Sequence, residues 1–267
     1  MPFDTRVTDY YETQDEGERL RRPGLGDLIR LRSWDVFDRF LPAPPARIAD
    51  VGGGPGVHAA HLAARGHDVV LLDPVPRHVA AARALGVPAA EADARRLPLA
   101  DASMDAVLLM GPLYHLTDPA DRRRALTEAQ RVLRPGGTLI AEVITRHAWV
   151  MEATLRGLLD DEEVWAEFER IDRIGLTQDP AGFPAGGFWA YLQPAGEFHA
   201  ELADAGLTGI RLVTVEGFAH LLPGLPALMR DQPAELLRAV RLTESEPSML
   251  GVGPHLFGIA TKKAGPS

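Results

Sequence analysis

One stretch constrains this chain more than any other: Ile48-Ala49-Asp50-Val51-Gly52-Gly53-Gly54-Pro55-Gly56-Val57-His58. Arg47 to Val51 reads as a short buried strand, Gly52 to Gly56 as a tight glycine turn, and Val57 to Arg65 as a helix with apolar positions at helical spacing. A strand, a glycine turn and a helix in that order build the crevice in which open α/β sheets hold nucleotide-like ligands, outside the carboxyl ends of their strands. Glycine suits the turn because a side chain would keep the backbone away from the ligand. The next apolar run, Asp68 to Leu72, ends in Asp73, where a carboxylate can accept hydrogen bonds from ribose hydroxyls.

The spacing of the glycines separates two readings of this crevice. A dinucleotide fingerprint needs a third small residue three positions after its second glycine, and Gly54 is followed at that distance by Val57. The arrangement is instead Asp50-x-Gly52-x-Gly54-x-Gly56, and four further elements follow in order. They are Asp73 after the second strand, Ala92-Asp93-Ala94 after the third, Ala106 to Gly111 as the fourth, and Arg131-Val132-Leu133-Arg134-Pro135-Gly136-Gly137 before the fifth. Together they resemble the class I S-adenosylmethionine-dependent methyltransferases, closely over Leu31 to Val143 and loosely on the flanks.

Composition narrows the partners. The formal net charge of -9 opposes binding to a polyanion, since phosphate contacts supply most nucleic-acid affinity. The clusters Arg19-Leu20-Arg21-Arg22 and Arg122-Arg123-Arg124 have carboxylates nearby and read as solvated helix faces. Without cysteine there is no disulfide, thiolate metal site or cysteine nucleophile, and the scattered histidines lack carboxylates at ligand spacing, so no metal is expected. Met1 to Arg6 has no signal-peptide core and no apolar run approaches the ~20 residues that span a bilayer. The expectation is a cytoplasmic protein, a monomer or homodimer, acting on a small molecule rather than on nucleic acid or a membrane.

Along the chain, Thr8 to Phe40 carries a helical pattern ended by Pro42, Pro44 and Pro45. From Arg47 to Val143, short apolar strands alternate with helices proposed at Val57 to Arg65, Arg77 to Leu85 and Asp121 to Leu133, which calls for a parallel sheet with helices on both faces. Asp118-Pro119 marks the start of the last helix and Arg134-Pro135-Gly136-Gly137 its stop. Beyond the fifth strand, Thr138 to Ile144, lie one or two amphipathic helices over Trp149 to Arg173. A stretch interleaving glycine, proline and aromatics follows, with Phe183, Phe188, Trp189 and Tyr191, and two readings stay open: a loop that closes over an apolar ligand, or a hairpin whose aromatics pack on the core. A helix from Pro194 to Ala205, a strand from Thr208 to Val215, helix around Pro233 and a strand from His255 to Ala260 complete the chain. The resemblance implies a single domain with a Rossmann-like, seven-stranded, mostly parallel sheet. Residues 1–45 would form a helical N-terminal cap, 46–144 the cofactor-binding core, 145–193 a lid insertion, and 194–267 the last part of the sheet with a helical insertion.

By the same resemblance the cofactor is S-adenosylmethionine, and the reaction is methyl transfer to oxygen, nitrogen or carbon of a small acceptor of the natural-product kind. Gly52, Gly54 and Gly56 would receive the cofactor, with Asp50 ordering their loop, Asp73 on the ribose, Asp93 on the adenine amino group and the Ala94 backbone at the ring edge. The end of the fourth strand, Met110-Gly111-Pro112-Leu113-Tyr114-His115, would flank the methyl. His115 is the first candidate base because imidazole titrates near neutrality; His147 and Tyr11 come next. Tyr11 and Arg19, in helices that fold over the cofactor in relatives, would also reach its carboxylate, and Tyr114, Phe188 and Trp189 would meet the acceptor. His58, His61 and His255 read as packing or surface residues. Two rivals stay open: a nicotinamide oxidoreductase, which needs the missing third small residue, and a catalytically silent cofactor-binding subunit of a partner enzyme, which needs neither an intact glycine loop nor a large lid.

Overall fold

The computed structural model describes residues 5–13, 16–177 and 188–264. The chain opens with helices α1 (Thr5–Thr13), α2 (Glu16–Arg19) and α3 (Leu25–Phe40). An alternating core follows: β1 (Arg47–Val51), α4 (Val57–Ala64), β2 (Asp68–Asp73), α5 (Pro76–Ala84), β3 (Ala89–Glu91), β4 (Met104–Leu109), α6 (Pro112–His115), α7 (Pro119–Val132) and β5 (Leu133–Ile144). Then come α8 (Ala148–Leu155), α9 (Glu162–Ile174), β6 (Leu176–Thr177), β7 (Ala190–Tyr191), α10 (Ala195–Asp204), β8 (Leu207–Thr214), α11 (Leu225–Asp231), α12 (Pro233–Thr243) and β9 (His255–Lys262).

Seven strands form one sheet in the order β3-β2-β1-β4-β5-β9-β8, and β6 and β7 pair separately. β3 to β5 run parallel, while β9 lies antiparallel to both β5 and β8. The strand order reverses between β1 and β4, and a crevice must open there because the connections leave toward opposite faces. One face is sealed by α7 and α10, with Leu126, Ala129, Phe198 and Leu202 on Val107, Leu139 and Leu256. α3, α4 and α5 seal the other, with Phe37, Leu62 and Ala82 on Ile48, Leu71 and Leu108. Strands buried on both faces carry near-continuous apolar runs, as these do.

The helix boundaries follow local chemistry. Asp118 caps α7, its carboxylate accepting from the Ala120 amide at 2.8 Å, with Pro119 at the first helical position as expected. Arg134 to Gly137 do more than stop α7, because the β4–β5 register jumps from Met104 opposite Leu133 to Ala106 opposite Thr138 and the tetrapeptide bulges out. The helical pattern over Thr8 to Phe40 is three helices rather than one. Pro23 has no amide to donate, Gly24 turns the chain at φ +87°, and a Cβ on Gly26 would lie 2.3 Å from the Arg19 carbonyl oxygen.

α3 is bound to the far end of the chain. The fully buried Arg32 guanidinium donates to the Val215 carbonyl at 3.0 Å and to Glu244 at 2.7 Å and is ion-paired with Asp35, while Arg39 donates to Glu244 at 2.6 Å. Buried charges are tolerated only with such partners, and removing Glu244 would leave Asp35 as the carboxylate shared by both guanidinium groups. The N-terminal helices are thereby anchored over the carboxyl ends of β1 and β4. Among the described residues no helix is long and apolar enough to cross a membrane.

Candidate active site

The glycine loop is shaped by what stands next to it. At Gly52, with φ +72°, a Cβ would come within 2.5 Å of Pro112 Cδ and 2.7 Å of the Met110 carbonyl oxygen, so β1 and the turn after β4 meet backbone to backbone. At Gly54, with φ +56°, a Cβ would stand in open space, its nearest neighbour Glu16 Cγ at 3.7 Å. The Gly54 amide donates to Asp73 Oδ2 at 2.9 Å, and Oδ1 accepts from the Val75 amide at 2.9 Å and lies 3.1 Å from His78 Nδ1. Asp73 therefore ties the β1 loop to the β2 loop. A carboxylate has about four acceptor positions, so these contacts leave room for a further hydroxyl donor.

A cavity of about 560 Å³ opens over this loop, with Gly52, Gly54, Asp73, Asp93, Ala94 and Met110 on its wall and Tyr11, Arg19, Tyr114 and His115 closing it. The Asp93 carboxylate holds the Arg95 guanidinium, Oδ2 to Nη2 at 2.6 Å, and accepts from the Arg95 amide at 2.9 Å. Burial would raise the Asp93 pKa, but the Arg95 hydrogen bonds outweigh it and hold the group below the usual carboxylate range. Arg19 donates to Glu16 at 2.5 Å. Burial alone would lower its pKa; Glu16 keeps it raised, so the cavity roof carries an Arg19–Glu16 ion pair. Burial pushes His58 on the same wall down to about 3, so it presents a neutral ring.

A second cavity, of about 430 Å³, shares Tyr11, Glu16, Arg19, Ile29 and Tyr114 with the first. Tyr10, Trp149 and Phe188 supply its aromatic wall, with ring centroids 5.5 Å apart for Tyr10 and Phe188 and 6.1 Å for Trp149 and Phe188. Tyr114, buried where the two cavities meet, has its pKa raised well above the ordinary phenol value by burial and then by the charge of Glu142. It is a neutral hydroxyl at working pH.

Residues 49–141 match the family model described as a methyltransferase domain. An uncharacterised methyltransferase of Mycobacterium bovis is 41% identical over 124 residues, which are 44% of this chain and 49% of that protein, so the chain spans about half the length of the curated relatives it matches. The fold is similar to that of a Thermotoga maritima S-adenosylmethionine-dependent methyltransferase described as a possible histamine N-methyltransferase, at 21% identity, 88% of this chain, 89% of that one and a TM-score of 0.56. It is also similar to a chain of the complex between the Haloferax volcanii Trm112 methyltransferase activator and a putative methyltransferase, at 20% identity, 98% and 99% coverage and a TM-score of 0.61. Residues 49–141 of the chain form a methyltransferase domain.

S-adenosylmethionine is the cofactor named for the Thermotoga maritima protein of the same fold, and the residues present here fit it. Gly54 leaves a cradle that a side chain would fill, Asp73 keeps acceptor capacity on the wall, and the first cavity has the volume of an ordinary ligand site. Gly52, Gly54, Asp73, Asp93, Ala94, Met110, Tyr11 and Arg19, the residues expected from the sequence to meet a cofactor, all border that cavity. Asp50 and Gly56 do not. Asp50 is wholly buried beneath Gly53, near the Ala59 amide but without a well-formed hydrogen bond, and burial together with the Asp73 charge pushes its carboxyl up to about 7. Gly56 ends the loop at φ +88°, where a Cβ would press on Ala82 at 3.0 Å, so its role is to let α4 pack on α5.

His115 borders the cofactor cavity with both ring nitrogens engaged: Nδ1 lies 2.9 Å from the Trp189 carbonyl oxygen and Nε2 2.9 Å from the Tyr11 hydroxyl. A carbonyl only accepts, so Nδ1 carries the proton and, in the neutral ring, Nε2 accepts from Tyr11. His147 does not reach either cavity; it is exposed, 3.8 Å from Asp172, which corrects its place among the candidate bases. Trp189 also needs correcting. Its carbonyl serves His115, but its ring borders neither cavity and packs under the Arg6 guanidinium at 4.4 Å. Tyr191 donates to Glu197 at 2.7 Å, away from the site, whereas Phe188 does enter the second cavity. Phe183 lies outside the described residues.

Residues not singled out from the sequence complete the site. Glu16 closes both cavities, Glu142 reaches the first from near the carboxyl end of β5, and His255 reaches the second from the start of β9. Glu142 had a visible signal, a carboxylate inside the apolar run Leu139 to Ile144. Burial raises its pKa above the usual carboxylate value. His255 had none, because its partner Glu216 stands 39 residues away.

Proposed function

We propose that this protein transfers a methyl group from S-adenosylmethionine to a small, apolar or aromatic acceptor of the natural-product kind, at oxygen, nitrogen or carbon. The observation that carries the reading is the shared wall of Tyr11, Glu16, Arg19, Ile29 and Tyr114 between a cavity built on the glycine loop and a second one lined by aromatic rings. A cofactor and an acceptor bound in the two would meet at that wall. The net charge of -9 favours a small molecule over nucleic acid, and we place the protein in the cytoplasm, acting as a monomer or homodimer.

Bound there, the cofactor supplies a methyl on an activated, cationic sulfur, so the work left to the protein is in-line positioning. Asp73 would accept from the ribose hydroxyls, and Asp93, which holds Arg95, would accept from the adenine amino group beside the Ala94 amide. Arg19, held by Glu16, would meet the carboxylate of the cofactor, and Met110 and Tyr114 would wall the transfer path. His115 holds the Tyr11 hydroxyl in place through its Nε2, which makes it a positioning residue rather than a directly acting imidazole. Calorimetry tests the reading: the demethylated product, S-adenosylhomocysteine, should bind with micromolar affinity. Asp73→Ala should weaken it by about 1.5 to 3 kcal/mol, the worth of hydrogen bonds to a charged acceptor. Binding of a nicotinamide dinucleotide in its place, or equal affinity in the Asp73 variant, would overturn it.

A further inference from the structure

We infer that His255, oriented by Glu216, is the proton acceptor for a phenolic acceptor bound in the second cavity; this rests on the methyl-transfer reading above. His255 opens β9 opposite Ile144 of β5, and its ring borders the second cavity beside Pro254 and Ala148. Glu216, fully buried, grips it twice: Oε2 accepts from the His255 amide at 3.1 Å and Oε1 accepts from Nδ1. With the proton fixed on Nδ1, the lone pair of the neutral ring lies on Nε2, which has no protein hydrogen-bond partner among the described residues. That is the arrangement a general base requires: a fixed tautomer, a buried carboxylate to stabilise the imidazolium, and an unengaged nitrogen on a ring that lines the cavity. His115 lacks the third of these, since Tyr11 occupies its Nε2.

The charges around His255 set its working range. Burial lowers its pKa, Glu216 and Glu142 raise it, and Arg19 from α2 lowers it, with a net rise above the ordinary imidazole value. His220, in the turn after β8, is also coupled to it and is itself kept below the ordinary imidazole value, first by burial. A base in that range matches reaction near neutral pH.

The rest of the cavity selects the acceptor. Tyr10, Tyr114, Trp149 and Phe188 form walls that take an aromatic ring. Its carboxylates are already neutralised, Glu16 by Arg19 at 2.5 Å and Glu152 by Arg156 at 2.5 Å, so neither recruits an ammonium ion. A phenol joins an aromatic ring to an O–H acidic enough to yield to imidazole, which an aliphatic alcohol is not. In the step proposed, the phenolic O–H bond breaks, the proton passes to Nε2, and the electron pair stays on oxygen as the nucleophile. The new imidazolium is paired with Glu216.

The test uses 4-nitrophenol, whose phenolate is coloured, added to protein loaded with S-adenosylhomocysteine at a pH below the phenol's own ionisation. Wild type should turn the bound phenol to phenolate, with a titration midpoint below that of the free phenol. His255→Gln and Glu216→Gln should each cut the phenolate fraction at least about tenfold without changing affinity for S-adenosylhomocysteine. An unshifted midpoint in wild type, no binding of the phenol, or undiminished phenolate in a folded variant each overturns the assignment. A purely structural His255 would lower thermal stability and leave the midpoint in place. Should one variant not fold by circular dichroism, the other and the wild-type midpoint decide. Loss of S-adenosylhomocysteine binding in wild type would instead overturn the methyl-transfer reading itself.

Discussion

The two cavities are built by different means. The cofactor cavity is mostly backbone and short loops: the Gly52 to Gly54 turn, the Asp73 carboxylate on two amides, the Asp93–Ala94 turn and Met110, each at the end of a parallel strand. The second cavity is mostly side chains from elements far apart in sequence: Tyr10 on α1, Trp149 on α8, Phe188 before β7 and His255 on β9. A backbone cradle tolerates almost no substitution, since a single Cβ closes it. A side-chain wall can be rewritten one residue at a time without touching the sheet, which is how one fold can serve many acceptors.

The largest effect that would sharpen this contrast lies beneath the cradle, at Asp50. Its carboxyl stands at about 7 in the folded chain against an ordinary 3.8, so the folded state binds more protons than the unfolded state between those values. Stability must fall as pH rises through that window, by about 1.4 kcal/mol per unit and up to about 4 kcal/mol in all. Asp50→Asn should flatten the profile, read by denaturant unfolding at a series of pH values. A wild-type stability that is level from pH 4 to 7 would remove the buried neutral carboxyl.

Next comes Gly52→Ala, which forces a side chain to φ +72° and onto Pro112 and the Met110 carbonyl oxygen. We expect about 3 kcal/mol or more of lost stability or cofactor affinity, read together by thermal unfolding and calorimetry. If the variant binds S-adenosylhomocysteine normally, the cradle is not made of backbone contacts.

On the acceptor side the effects are smaller and more selective. Phe188→Ala should raise the acceptor KM roughly tenfold, the worth of one aromatic contact, and leave the cofactor Kd unchanged. A matching loss of cofactor affinity would break the division between the two cavities. Smallest of all, Trp189→Phe keeps the carbonyl that His115 uses and His147→Ala removes an exposed ring, so both should keep KM and Kd within about twofold.

Legibility in the sequence follows the same division. The glycine loop, Asp73, Asp93, the Asp118–Pro119 helix start and the alternation of strands and helices are local signals, because each depends on neighbours within a few residues. The misreadings came where local pattern and tertiary contact parted. His147 and Trp189 sit close in sequence to site residues, yet one faces solvent and the other turns its ring toward Arg6. His255 looked like an ordinary strand residue until Glu216 was brought against it from the turn after β8.

The sequence by itself determined the sheet and the glycine-loop crevice at the ends of its strands, since strand periodicity, glycine turns and helix caps act over a few residues of chain. Only the tertiary structure decided which imidazole keeps an open nitrogen, which aromatic rings share a cavity and which carboxyl stays protonated. Those properties depend on burial and on partners that folding brings together across tens to hundreds of residues: Tyr11 with His115, Arg32 with Glu244, and Glu216 with His255.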